Sequence, residues 1–139
     1  MFLANYSDNL SDVALPELIA TARTTGAAAT FACVRPSASF HIVRLNEDRT
    51  VAGIDEAGDA GLWINGGYFA LTPEVFDHYI DGEDLVPDAF PRLQKLGRLA
   101  AHEHDGFWAS MDTFKEREEL NDMYVEGTVP WRNRLDATP

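Results

Sequence analysis

The chain has 139 residues, 45% of them hydrophobic and 11% aromatic, which suits one compact domain with a sizeable core rather than a disordered segment. Eleven Lys and Arg against 23 Asp and Glu leave a formal net charge of -12, which repels nucleic acid and anionic lipid and argues against a duplex-binding or membrane-surface role. One cysteine, Cys33, permits no internal disulfide, and its apolar setting in ATFACV predicts a buried thiol rather than a nucleophile.

No apolar run reaches transmembrane length, and MFLANYSDNLSD lacks the basic region and apolar stretch of a secretory signal, so a cytoplasmic location is expected. Residues 1–4 read as a strand at the very start, which suggests a late start or a missing preceding half. Ser11 and Asp12 are expected to cap a helix on which Leu15, Leu18, Ile19 and Ala22 fall at helical spacing, with Gly26 ending it. Residues 29–34 read as a buried strand. Residues 39–45 alternate as a second strand, turn at Asn46-Glu47-Asp48 and return over 50–54. A Gly- and acid-rich loop, 55–61, precedes a strand over 62–71 that two glycines interrupt. Pro73 opens a short helix through Tyr79. A helix from Asp84 to Leu96 is expected to bend or break at Pro91. Strands follow at 98–104 and 107–110. Asp112 or Thr113 starts a last helix to about Tyr124, and 127–139 is an irregular tail that Trp131 can anchor. Strands alternating with helices predict an α/β domain, and the 39–54 hairpin makes its sheet mixed.

Three segments can carry chemistry. In YSDNLSD, residues 6–12, Asp8 follows the opening strand, where α/β sheets bind ligands and where a carboxylate can hold a hard cation such as Mg²⁺. The alternative is that Ser7, Asp8, Ser11 and Asp12 are loop and cap residues. In INGGYF, residues 64–69, paired glycines inside a strand imply a bulge or a close ligand approach, and Asn65 can meet a sugar hydroxyl or its own backbone. In DGFWASMDTFKE, residues 105–116, Asp112 again leaves a strand, as a second metal carboxylate or as a helix N-cap. His41, His78, His102 and His104 show no metal-ligand spacing and are expected in the core or on the surface.

These segments, in this order, resemble the sugar-1-phosphate nucleotidyltransferase family, and most of all the glucose-1-phosphate cytidylyltransferases. FLANYSDNLSD, TFACVRPSASFHIV, WINGGYF with PEVFDHY and GEDLV, and DGFWASMDTFKEREEL with a later PW carry the likeness over nearly the whole chain. The resemblance implies a Rossmann-like fold with a mixed, mostly parallel sheet flanked by helices, lacking the N-terminal nucleotide-binding part. Residues 1–139 are then the C-terminal sugar- and metal-binding part. It implies a reaction in which a sugar 1-phosphate attacks the α-phosphorus of a nucleoside triphosphate, glucose 1-phosphate and CTP being the expected pair, and pyrophosphate leaves. It also implies Mg²⁺ held by the catalytic pair Asp8 and Asp112, and a sugar pocket lined by Asn65, Gly66, Gly67 and Tyr68.

Two departures accompany the likeness. The GxGTR-type phosphate loop of the family, with its following Pro-Lys, does not occur. The Glu-Lys-Pro that often precedes WINGG is replaced by Asp55-Glu56-Ala57, without the lysine. The expectation is therefore a part inactive alone, working as a homo-oligomer or with a separately encoded N-terminal half. Two other functions stay open: a non-catalytic sugar- or partner-binding domain, and an unrelated Mg²⁺-dependent phosphohydrolase using the same two aspartates.

Overall fold

The computed structural model describes residues 1–36, 41–58 and 60–132. Its strands are β1 (Phe2–Asn5), β2 (Asn9–Ser11), β3 (Ala29–Val34), β4 (His41–Leu45), β5 (Val51–Glu56), β6 (Ile64–Leu71), β7 (Leu99–His104) and β8 (Trp108–Ser110). Its α-helices are α1 (Leu15–Thr25), α2 (Phe90–Lys95) and α3 (Phe114–Val125). Four strands form the central sheet in the order β1-β6-β3-β7. β6 is antiparallel to both β1 and β3, and β7 is parallel to β3. Three of the four strands therefore point one way, with β6 reversed between them, which is the mixed α/β sheet expected.

The sheet is covered on both faces because β3 is apolar on both. Ala29 and Ala32 are fully buried, and so is the lone polar residue Thr30 between them. On one face Ala29, Phe69 and Leu71 meet Val75, Phe90 and Leu93, with Phe90 stacked on Phe31 and edge-on to Phe69. On the other, Leu18 and Ala22 of α1 pack on Ala70, with Tyr68 beside them. Burying these side chains contributes roughly 1.5–3 kcal/mol each.

Local chemistry sets the helix ends. α1 stops where Gly26 takes φ +63° and its N–H reaches the Ala22 carbonyl at 3.1 Å. Its start differs from expectation. Ala14 is the N-cap residue and makes no side-chain cap, while Ser11 Oγ accepts from the Val13 N–H at 3.1 Å upstream of the helix. Pro16 in the first turn has no N–H to satisfy, so the helix begins without Ser11 or Asp12. The single helix expected over 84–96 is divided into a π-helical turn, Leu85–Ala89, and α2, with Pro91 in the first turn of α2. The break falls just upstream of the proline, because its ring excludes a regular turn before it. The segment Pro73–His78 is 3-10 helix. α3 opens on Thr113, whose side chain and that of Glu116 cap each other's main-chain N–H groups.

Two short sheets stand beside the central one. β4 and β5 form the predicted hairpin, of which residues 39–40 lie outside the described residues. β2 and β8 pair antiparallel. After α3, Trp131 in the 3-10 turn Pro130–Arg132 packs on Phe107 with ring centroids 5.4 Å apart. The tail beyond residue 132 lies outside the described residues.

Candidate functional site

β1 ends at Asn5, and the chain turns through Tyr6, Ser7 and Asp8 before pairing again as β2. The Tyr6 N–H donates to the Gly67 carbonyl at 2.9 Å, so this turn rests on β6. β2 then matches Asn9 with Ser110, Leu10 with Ala109 and Ser11 with Trp108. One step further out, the Met111 N–H donates to the Asp8 carbonyl at 2.7 Å. Asp112 is the next residue. The two strand-exit aspartates therefore leave the same end of one strand pair, and both are exposed. Asp112 also lines a cleft of about 670 Å³ with Trp108, Ser110, Ile64, Lys115 and Glu116. Thr113, not Asp112, caps α3.

The glycine pair lies against this strand pair. Phe31 pairs with Phe69 and Cys33 with Asn65, so Gly66, Gly67 and Tyr68 of β6 stand opposite Ala32 alone. This bulge needs both glycines. Gly67 has φ +73°, and a Cβ there would lie 2.5 Å from Asn9 Nδ2 and 2.7 Å from Tyr6 Cδ2. A Cβ on Gly66 would lie 2.9 Å from Val34 Cγ1. Trp108 Nε1 donates to the Gly66 carbonyl at 2.8 Å, which joins the bulge to β8. Tyr68 Oη donates to the Asn9 carbonyl at 3.4 Å, and burial raises the phenol's pKa, so it stays a neutral donor. Asn65 Oδ1 accepts from the Gly67 N–H at 3.0 Å, the local backbone role that its sequence position left open.

Asp8, Asp112, Gly66, Gly67 and Tyr68 are thus gathered around the β2–β8 pair, while the acceptor oxygen of Asn65 is held by the bulge itself. Asn9, which no sequence pattern marks, is 5% exposed and leaves Oδ1 without a hydrogen-bond partner. Only its contact with Gly67, formed in the fold, distinguishes it from any loop asparagine. His104, expected in the core or on the surface, is buried with Nε2 at 2.9 Å from Asp12 Oδ1. His102 Nδ1 lies 3.0 Å from Thr21 Oγ1, so it joins β7 to α1. Cys33 is buried, and desolvation raises its pKa, as expected of an inert thiol. Asp55, in the stretch that lacks the family's lysine, pairs with Arg44 across the hairpin.

Among the described residues no group of three or more His, Cys, Asp or Glu side chains is arranged to hold a metal. Two exposed carboxylates do suit Mg²⁺, which keeps several waters and takes its remaining oxygens from substrate phosphates.

Over 94% of this chain, a Bacillus subtilis protein assigned as a glucose-1-phosphate cytidylyltransferase is 35% identical. The glucose-1-phosphate cytidylyltransferase of Salmonella typhimurium is 30% identical over the same share. The chain is related to the glucose-1-phosphate cytidylyltransferases. It spans about half the length of these cytidylyltransferases, 52% and 51% respectively. A solved Bacillus anthracis chain, assigned as a glucose-1-phosphate thymidylyltransferase and holding sucrose, superposes with a TM-score of 0.61. That match covers 87% of this chain and 53% of the other at 14% identity, and it supports the fold. No family model matches the chain. No helix among the described residues is long and apolar enough to cross a membrane.

Proposed function

We propose that this chain forms the sugar- and metal-binding part of a sugar-1-phosphate nucleotidyltransferase, which joins glucose 1-phosphate to the nucleotide of CTP and releases pyrophosphate. The observation that supports the reading is the main-chain bond between Asp8 and Met111, which brings the backbone of Asp112 next to that of Asp8, close to the Gly66-Gly67 bulge. Such transfers need little covalent work from protein; they need position and neutralised charge. Asp8 and Asp112 would hold Mg²⁺, which when bound offsets phosphate charge in the transition state. The buried glycines let Asn9, Tyr6 and Val34 pack directly on the bulge, which would give the sugar pocket a rigid floor. Trp108 fixes the Gly66 carbonyl, and the Tyr68 hydroxyl keeps β2 seated on β6.

The net charge of -12 and the absence of the Glu-Lys-Pro lysine favour a supply of cations for the triphosphate from the metal and from protein other than this chain. The test is an assay with CTP, glucose 1-phosphate and Mg²⁺, using this chain joined to a GxGTR-containing N-terminal half of a cytidylyltransferase. Pyrophosphate release that Asp112→Asn abolishes supports the reading. No release from a folded hybrid counts against it.

The same charge balance favours a second reading, a non-catalytic domain that binds a sugar or a partner. Calorimetry with glucose and with glucose 1-phosphate separates the two. Binding that Mg²⁺ leaves unchanged supports the second; binding strengthened by Mg²⁺ supports the first.

A further inference from the structure

His104 ends β7 underneath the strand pair that carries both aspartates. It is 8% exposed, and the proposed transfer does not use it. Its Nε2 lies 2.9 Å from Asp12 Oδ1, 3.3 Å from Ser11 Oγ and 3.3 Å from the Phe107 carbonyl oxygen. The Phe107 carbonyl only accepts and Ser11 Oγ already donates to it, so Nε2 carries the proton and shares it between these two oxygens. Asp12 Oδ1 lies close to Nε2 but is not aligned as a hydrogen bond, and that atom has no hydrogen-bond partner.

The surrounding main chain is drawn into the same knot. Ser11 Oγ donates to the Phe107 carbonyl at 2.8 Å, and the Asp12 N–H donates to that carbonyl at 3.2 Å. Gly106 leaves the space, since a Cβ there would lie 2.5 Å from both Asp12 Oδ1 and His104 Cε1. The arrangement is not a Ser-His-Asp triad. Ser11 and Asp12 address the same ring nitrogen, whereas the triad uses both.

The knot grips one end of the β2–β8 pair, at Ser11 and Trp108; Asp8 and Asp112 leave the other end. The pair is only three residues long on each side, and a slip of one residue would turn every side chain to the opposite face. We propose that His104 is a positioning residue that locks the register of β2 against β8 and so keeps Asp8 beside Asp112. The link to metal binding rests on the proposed function.

Two variants and two readouts test it. His104→Ala removes the donor; His104→Gln restores an N–H near the position of Nε2. Amide hydrogen exchange followed by NMR at Met111 reports whether the Asp8–Met111 bond opens. The electron paramagnetic resonance signal of free Mn²⁺ reports the affinity of the aspartate pair.

In His104→Ala, exchange at Met111 should rise relative to the amides of β3, and Mn²⁺ affinity should fall about tenfold, as for other supporting residues of metal sites. His104→Gln should recover both. Unchanged exchange at Met111, or loss without recovery in His104→Gln, overturns the proposal. Faster exchange with unaltered Mn²⁺ affinity overturns its link to the site. Asp112→Asn is the control for the underlying reading: if it keeps full Mn²⁺ affinity, the metal role fails, while the exchange result still decides the register claim. Should His104→Ala not fold, Ser11→Ala, which removes the Oγ that links Nε2 to the Phe107 carbonyl, takes its place, with unchanged exchange at Met111 overturning the proposal.

Discussion

The carbonyl of Asp8 and the main-chain N–H of Met111 are joined at 2.7 Å, although they come from opposite ends of the chain. The bond continues the β2–β8 ladder by one step, and it brings the backbone of Asp112 next to that of Asp8.

If both aspartates hold one ion, Asp8→Asn and Asp112→Asn should each weaken Mn²⁺ binding, and the double variant should lose less than the two losses added. Neither should shift stability beyond about 0.5 kcal/mol, because both side chains are exposed and neither caps a helix. Thr113→Ala should do the reverse, costing about 1 kcal/mol of stability and leaving Mn²⁺ affinity alone. Metal titration beside urea unfolding checks all four variants.

Gly67→Ala should destabilise the protein by about 1–2 kcal/mol from its left-handed backbone alone, with more from the clash on Asn9 and Tyr6. Urea denaturation measures the loss. A neutral substitution would mean that Asn9 and Tyr6 do not press on the bulge as described.

Leu93 of α2 is fully buried among Ala29, Phe69, Leu71 and Phe90. Leu93→Ala should cost about 2–5 kcal/mol in urea unfolding, through lost burial and a residual cavity. α2 itself packs on β7 and the adjoining helical turns, so Mn²⁺ affinity per folded molecule should not change.

Arg98 donates hydrogen bonds to the Glu74 carboxylate and holds its pKa below the ordinary 4.5. A depressed carboxylate pKa stabilises the fold above its unfolded value, and the contribution disappears as pH falls through the folded value. Wild type should therefore exceed Glu74→Gln in stability at neutral pH, with the gap closing below pH 4.5. A pH series of thermal unfolding curves would show it; a gap that persists into acid would contradict the pairing.

Much of the fold was legible from local chemistry. The apolar run at 29–34 and the helix stopped by Gly26 each depend on neighbours in sequence, and each is found where the pattern predicts; of the two starts offered for the last helix, Asp112 and Thr113, the fold uses Thr113. The helix start at Ala14 escaped prediction because Ser11, a good capping residue, is taken up by Phe107 and His104 from across the chain. The division of the 84–96 helix was half legible: Pro91 signalled a break, but not the π-helical turn before it.

By itself the sequence determined which residue types stand at strand exits, two glycines inside a strand, and an acidic balance unsuited to holding triphosphate unaided. Spacing along a chain says nothing of distance across a sheet. Only the tertiary structure decided that β2 pairs with β8, that Trp108 reaches Gly66 and that His104 meets Asp12, because those contacts form when distant segments are packed onto a common sheet.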